Sequence, residues 1–151
     1  MIRKYLLIIP CSKRKKKITE DRLHALYLYD GPFYRIIRKF FREYGIPKNL
    51  DITIISAKYG LINANTYIAY YDNRMTKEAI KNFAGRLKSR LISIINEENY
   101  TEIFQNIGKN YYKVIKGWEM CIDENIQVIS AEGGIGQRAK QMRNWLTLRF
   151  M

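Results

Sequence analysis

Three reactive side chains follow a short apolar stretch near the middle of the chain. Residues 52–55 predict a buried strand, and the turn after it carries a hydroxyl, an ammonium and a phenol from Ser56, Lys58 and Tyr59. Gly60 then allows a sharp turn that a residue with a Cβ would resist. Because ligands of open α/β sheets bind outside the carboxyl ends of the strands, this turn predicts one wall of a binding site.

A basic loop follows a second apolar stretch. Residues 5–9 are continuously apolar, Pro10 ends the run, and Cys11 and Ser12 precede five consecutive cations, Lys13, Arg14, Lys15, Lys16 and Lys17. Such a run is often only a solvated loop, but its position at the end of a buried strand favours phosphate binding. A lysine near other cations has a lowered pKa and can act as a nucleophile. The candidates are Lys13, Lys15 and Lys58, with Asp72 as a base or orienting carboxylate.

Glycines mark two further strand ends. Gly108 follows one predicted strand, and the segment that contains Gly134 and Gly136 precedes the last predicted helix. Backbone N–H groups at a helix start can bind an anion, although the segment can also be a plain tight turn. It lacks the lysine of a nucleoside-triphosphatase loop, so it does not match that motif. It follows the last predicted strand rather than the first, so it does not match a dinucleotide-binding motif either.

The hydrophobic periodicity predicts alternating strands and helices. This alternation is typical of an α/β protein with a parallel sheet covered on both faces. We therefore expect a single domain over 1–151, a three-layer α/β/α fold with a central, mostly parallel four-stranded sheet. The predicted strands are 5–9, 52–55, 101–107 and 126–129; the predicted helices are 21–29 with Asp21 as N-cap, 33–44, 77–96 with Thr76 as N-cap, 110–117 and 137–149; 62–74 is predicted to be irregular.

Composition restricts the partners and the chemistry. A net charge of +13 favours nucleic acid, nucleotides or another anionic partner, and some of the 12 tyrosines could stack on bases. We expect no membrane segment, no secretion signal and, with two cysteines, a cytoplasmic protein with reduced thiols. The only histidine, His24, and the scattered acids form no metal pattern, so we expect no metal and no other cofactor. The oligomeric state is left open.

Several of these segments together resemble a known family. They are Pro10-Cys11-Ser12 with the lysines after it, Leu26-Tyr27, Asp30-Gly31-Pro32-Phe33, Ser56-Ala57-Lys58-Tyr59-Gly60-Leu61, Tyr71-Asp72 and Gly134-Ile135-Gly136. The chain resembles small prokaryotic and phage proteins without assigned activity, which are similar to the core domain of archaeosine synthase. That enzyme uses a lysine to modify a 7-deazaguanine base in transfer RNA.

The resemblance implies a uracil-DNA-glycosylase-like α/β/α fold and a position for the reactive lysine. In the synthase this lysine lies four residues after the cysteine of the Pro-Cys motif, which corresponds here to Lys15. The chain has Lys16 and Lys17 where the synthase continues with proline and tyrosine.

We therefore predict an enzyme that acts on a nucleobase of a nucleic acid or nucleotide, by glycosylase-like chemistry or lysine-dependent base modification. The alternatives are a non-catalytic nucleic-acid-binding protein and an enzyme of free nucleotides.

Overall fold

The computed structural model describes residues 2–56, 58–71 and 77–151, with the backbone alone for 77–84. The strands are β1 Tyr5–Pro10, β2 Leu23–His24, β3 Leu50–Ser56, β4 Gly60–Asn63, β5 Tyr67–Ile68, β6 Glu102–Gln105 and β7 Gln127–Ser130. The helices are α1 Ala25–Leu28, α2 Pro32–Tyr44, α3 Lys77–Glu97, α4 Gly108–Ile115 and α5 Ile135–Phe150, with a 3₁₀ turn at Trp118–Cys121. The predicted helix cap at Thr76 and the predicted carboxylate Asp72 lie outside the described residues.

A mixed five-stranded sheet forms the centre of the fold. Its strand order is β4-β3-β1-β6-β7. The four predicted strands are present and pair in parallel, and β4 pairs antiparallel with β3 at one edge. The predicted α/β class is confirmed, and the central sheet has one strand more than the sequence indicated.

The two faces of β1 belong to two different cores, because successive strand residues point to opposite faces. Leu7 and Ile9 pack with residues of α1, α2 and α5. Leu6 and Ile8 pack on the other face with residues of α3, α4 and the 3₁₀ turn. Helices therefore cover both faces of the sheet, in the predicted three layers. None of the helices in the described ranges is long and apolar enough to cross a membrane.

Two local predictions are corrected by the structure. The stretch 62–74, predicted to be irregular, contains the end of β4 and the whole of β5. Gly60 has a φ of +76°, which lets the chain reverse from β3 into β4. The first predicted helix does not begin after Asp21, since Leu23–His24 pairs with β5 as a strand and α1 begins only after His24. The backbone there bonds to another segment, which a local sequence pattern does not reveal.

Candidate functional site

Next to β1, the connections that follow neighbouring strands switch from one face of the sheet to the other. The chain after β1 continues into α2 on one face, whereas the chain after β6, the neighbour of β1, continues into α4 on the other face. The two connections diverge, and a crevice opens between the strand ends at such a point. A cleft of about 410 Å³ lies there. Its lining includes Pro10, Cys11, Ser12, Lys13, Arg14, Phe33, Tyr34, Ile107, Gly108, Tyr111, Ile135 and Arg138.

A thiol and a phenol lie on the wall of this cleft. The Cys11 Sγ is 3.2 Å from the Tyr111 Oη, within hydrogen-bonding distance for sulfur. Burial raises the pKa of Tyr111 above its usual range, and the neighbouring Cys11 adds to the increase. Tyr111 is therefore a neutral phenol at physiological pH, able to donate a hydrogen bond but not to act as a base.

A guanidinium forms another part of the cleft. Arg138 donates from Nη1 to the Oδ1 of the fully buried Asn106 at 3.3 Å, and its Cζ lies 5.3 Å from the centre of the Phe33 ring. Burial lowers the pKa of Arg138. Its Nε is buried with no hydrogen-bond partner among the described residues. Gly108 has a φ of +70°, and a Cβ there would lie 3.1 Å from the Arg138 guanidinium.

A second group of polar side chains lies beside the cleft, at the end of β3. We call it the tyrosine–lysine cluster: Lys15, Tyr29, Ser56, Lys58 and Tyr71. The Tyr29 Oη is 2.6 Å from the Tyr71 Oη and 3.2 Å from the Ser56 Oγ, and all three side chains are buried. The Ser56 Oγ also accepts hydrogen bonds from the backbone N–H groups of Lys58 and Tyr59. The hydroxyl therefore stabilises the turn after β3 as well as the cluster.

The two lysines of the cluster differ in position. The Lys15 Nζ lies 4.3 Å from the centre of the Tyr71 ring, within range of a cation–π interaction. The Lys58 Nζ lies 5.5 Å from the same ring and 5.4 Å from that of Tyr59. Lys15 is half-buried and donates to the Lys13 carbonyl at 3.3 Å, whereas Lys58 is exposed. Lys15 is therefore the more fixed of the two.

Burial keeps the phenols of the cluster neutral. It raises the pKa of Tyr29 well above its usual value and that of Tyr71 to about 12, and the hydrogen bonds that each phenol shares with Ser56 partly offset the increase. The neighbouring Cys11 also raises the pKa of Tyr71. Cys11 is therefore near Tyr71 as well as Tyr111, and it lies between the tyrosine–lysine cluster and the cleft.

The basic loop, residues 13–17, is fixed to the chain segment that leads into α2. The Lys16 N–H donates to the Leu28 carbonyl at 2.9 Å, and the Asp30 N–H donates to the Arg14 carbonyl at 2.8 Å. The Asp30 carboxylate pairs with the buried Arg38 at 2.5 Å and with Arg35 at 3.1 Å. Hydrogen bonds from Arg35 and Arg38 lower the pKa of Asp30. The loop is therefore an ordered wall with exposed cations.

The glycine segment lies beside the cleft rather than in its lining. Gly134 is the N-cap of α5, and Gly136 lies in its first turn. The Gly134 N–H donates to the Gln137 Oε1 at 3.1 Å, so the chain itself uses this donor. Gly133 and Gln137 line a separate shallow depression, together with Lys140.

The predicted site residues thus divide into three groups. Cys11, Ser12, Lys13 and Gly108 line the cleft; Lys15, Ser56, Lys58 and Tyr59 lie in or next to the tyrosine–lysine cluster; Gly60, Gly134 and Gly136 shape turns at the same edge of the sheet. The sequence reasoning did not single out Tyr29, Asn106, Tyr111 or Arg138. Their only signal was proximity to strand ends: Asn106 directly follows β6 and Tyr111 lies in the helix after it.

The described residues contain no group of three or more histidine, cysteine or acidic side chains that could hold a metal ion.

The chain belongs to a family of unknown function, DUF6884, whose family model matches residues 6–144. Among solved structures it is similar to the crystal structure of AF0587, a protein of unknown function, with a TM-score of 0.52 and 15% sequence identity. The alignment covers 95% of this chain and 44% of that chain, so this chain spans less than half the length of AF0587. At this identity the likeness shows the fold alone. No curated protein matched the sequence.

Proposed function

We propose that this protein is an enzyme that acts on a nucleobase of a nucleic acid or nucleotide, by glycosylase-like chemistry or lysine-dependent base modification. The observation that carries the proposal is the cleft between the ends of β1 and β6. Its volume of about 410 Å³ lies within the usual range of small-molecule sites, roughly 300–1,000 Å³. Phe33 and Ile107 offer an apolar surface for a planar base, and Lys13, Arg14 and Arg138 offer cations for its phosphate.

Lys15 is the lysine that we assign to the reaction. Its Nζ lies over Tyr71, and Tyr71 is near Cys11 on the cleft wall. Two chemical roles fit this place. As an ammonium, the form that an aromatic face favours, Lys15 would stabilise negative charge that develops on a departing base. After losing its proton, it could attack the substrate as a nucleophile.

The resemblance to the core domain of archaeosine synthase supports the same assignment. The lysine that corresponds to the reactive one is Lys15, and the most specific part of the resemblance, residues 56–61, forms the turn that holds Ser56 in the tyrosine–lysine cluster. We propose that this turn shapes the site and that Lys58 serves as a secondary cation. Asp72 keeps its proposed role as an orienting carboxylate.

Base release from single-stranded DNA, RNA and free nucleosides tests the proposal. In the nucleophilic route, the Lys15 amine bonds to the sugar C1′. The C1′–N bond breaks, and the base departs with the bonding electrons and takes up a proton. After the sugar ring opens, the resulting imine can be reduced by borohydride to a stable protein–nucleic acid adduct. In the electrostatic route, no adduct forms.

Two substitutions of one residue separate the routes. Lys15→Arg keeps a cation and removes the amine nucleophile. It should retain most activity in the electrostatic route and lose both activity and adduct in the nucleophilic route. Lys15→Ala should lose activity in either case. Lys39→Ala is the matched control, because Lys39 is an exposed lysine of α2 that pairs with Glu43. Unchanged activity in Lys15→Ala would contradict the assignment.

A second candidate is a non-catalytic nucleic-acid-binding protein. The observation that favours it is the backbone pairing of the basic loop, which holds Lys13, Arg14, Lys16 and Lys17 exposed on an ordered wall. Binding should then weaken linearly on a plot of log affinity against log salt, with a slope that reports the phosphates contacted. Binding with such a slope, but with no reaction on any tested base, would favour this candidate.

A further inference from the structure

An exposed aromatic surface lies next to the basic loop. We call it the aromatic patch: His24, Tyr27 and Tyr67. In the short antiparallel pair of β2 and β5, Leu23 faces Ile68 and His24 faces Tyr67. Opposite residues of a strand pair share one face. Leu23 and Ile68 pack into the core, and His24 and Tyr67 therefore point outward.

The rings of the patch touch one another but are not buried. The His24 and Tyr67 ring centres are 4.1 Å apart in an edge-to-face arrangement, and Tyr27 is 6.2 Å from His24. The side chains of Tyr67 and Tyr27 are 61% and 40% exposed. Since Leu23 and Ile68 already supply the apolar contacts of this strand pair, core packing does not account for the rings on its outer face.

The charge around the patch is strongly positive. Between residues 13 and 22 there are six cations and two acids, Glu20 and Asp21. The basic loop runs alongside α1, which carries Tyr27, because the Lys16 N–H bonds to the Leu28 carbonyl. Aromatic rings next to a basic track are the features by which proteins hold single-stranded nucleic acids: bases stack on the rings while cations follow the phosphates.

The patch and the candidate site are carried by the same segments of chain. Tyr27 faces outward while Tyr29, two residues later, lies in the tyrosine–lysine cluster. Tyr67 faces outward while Tyr71 lies in that cluster. Two residues span at most about 7 Å. The Cα atoms of Tyr27 and Tyr29 are therefore at most about 7 Å apart, and the patch is joined to the tyrosine–lysine cluster by short stretches of chain.

We propose that the aromatic patch stacks unpaired bases of a single-stranded nucleic acid whose phosphates lie along the basic loop. This deepens the proposed function, on which it rests for the role of the strand as substrate, by naming single-stranded rather than duplex nucleic acid. A duplex keeps its bases stacked on each other, and it cannot offer their faces to Tyr27 and Tyr67.

Fluorescence anisotropy with a labelled thymidine oligomer of about 12 nucleotides, within the usual site sizes of roughly 4–16, tests the inference. The wild-type protein should bind the single strand more tightly than a duplex of the same length at about 50 mM salt. Tyr67→Ala and Tyr27→Ala should each weaken single-strand binding at least about fivefold, which is the lower end of the range expected when one stacking ring is lost. Tyr67→Phe should retain binding, because the ring rather than the hydroxyl stacks.

The matched control is Tyr44→Ala. Tyr44 is 49% exposed and ends α2, whose first residues line the cleft, so it lies at the far end of that helix. Circular dichroism should show that each variant is folded. Equal losses in Tyr44→Ala and Tyr67→Ala, unchanged binding in both patch variants, or equal affinity for single strand and duplex would each overturn the inference.

A separate measurement distinguishes an error in the role assigned to the patch from an error in the role assigned to the cleft. Activity on a free nucleoside depends on the cleft alone. If Tyr67→Ala keeps this activity and single-strand binding is insensitive to the patch, the inference fails while the proposed function stands. If the patch variants lose single-strand binding but the wild-type protein releases or modifies no base, the binding surface stands and the proposed function fails.

Discussion

The two halves of the carboxyl edge of the sheet differ in how their polar groups are used. At the end of β3, the hydroxyls of Tyr29, Ser56 and Tyr71 bond to one another and so fill one another's hydrogen-bonding positions. Between β1 and β6 the chain leaves a cleft, in which Arg138 makes one hydrogen bond to Asn106 and keeps an Nε without a partner among the described residues. We call these the filled half and the open half.

Polar residues at a strand end can serve structure as readily as chemistry. Ser56 is fully buried, and its hydroxyl accepts two backbone N–H groups of its own turn. The filled half therefore fixes the shape of the wall. In the open half, Cys11, Lys13 and Arg138 line a cleft in which a ligand can bind.

The largest effect on stability is expected at Asp30, which anchors the basic loop next to the filled half. Asp30→Ala leaves the buried Arg38 without its carboxylate and releases the basic loop. Removing one partner of a buried ion pair costs about 3–5 kcal/mol. Because Arg38 keeps bonds to the carbonyls of Leu26 and Tyr29, we expect a loss of about 2–3 kcal/mol in the free energy of unfolding. Urea denaturation would measure it.

The pH dependence of that effect provides its control. The pKa of Asp30 is lowered below its usual value of 3.8, first by its hydrogen bond from Arg35. Its contribution is therefore present above pH 3.8 and is lost as the pH falls through the lowered pKa. The difference between wild type and Asp30→Asn should shrink in that acid range. Glu43→Ala breaks an exposed ion pair on α2, the helix that carries Arg38, and should change stability by less than about 0.5 kcal/mol. Similar losses of stability in Asp30→Ala and Glu43→Ala would contradict the anchoring role of Asp30.

The next effect concerns the open half, at Gly108. An alanine there would have to adopt a φ of +70° and would bring its Cβ to 3.1 Å from the Arg138 guanidinium. We expect a loss of about 1–2 kcal/mol and a displaced guanidinium that weakens binding in the cleft. Gly136→Ala is the matched control, since Gly136 is helical and nothing lies within 4 Å of the added Cβ. It should be neutral or stabilise by up to about 1 kcal/mol.

The strands and helices could be predicted from the sequence more readily than the contacts between them. The spacing of Phe33, Ile37 and Phe40, and Gly45 after them, predicted α2 within one residue, because helix periodicity and a glycine stop are local properties. The uniformly apolar residues 5–9 similarly predicted β1. Short β4 and β5 were missed, since their pairing partners, not their own patterns, define them.

The candidate site was predicted only in part, because local patterns reveal the strand ends but not the contacts between distant residues. The strand ends were found because each is a local change from apolar to polar residues. The contact between Tyr29 and Tyr71 joins residues 42 positions apart, and the contact between Asn106 and Arg138 joins residues 32 positions apart. Such contacts follow from the strand order β4-β3-β1-β6-β7, which residue spacing does not determine.

A smaller effect should come from a single phenol of the filled half. Tyr71→Phe removes hydrogen bonds to Tyr29 and Ser56, and we expect a loss of about 1 kcal/mol at neutral pH. Burial raises the pKa of Tyr71 to about 12. Its contribution is therefore present below pH 10 and is lost as the pH rises through 12. The stability difference between wild type and Tyr71→Phe should disappear over that range. A constant difference up to pH 12 would contradict a buried phenol.

The mildest probe leaves the folded chain unaltered and compares its two thiols. Cys121 is exposed, whereas Cys11 is half-buried on the cleft wall against Tyr111. A thiol reagent should therefore label Cys121 faster. A nucleotide bound in the open half should slow labelling of Cys11 and leave Cys121 unchanged, which mass spectrometry of the separated peptides would measure. If a nucleotide raises the melting temperature but leaves the Cys11 rate unaltered, the ligand lies outside the cleft. The depression that Gly133 and Lys140 line beside α5 would then be the place to examine, and the assignment of binding to the open half would fall.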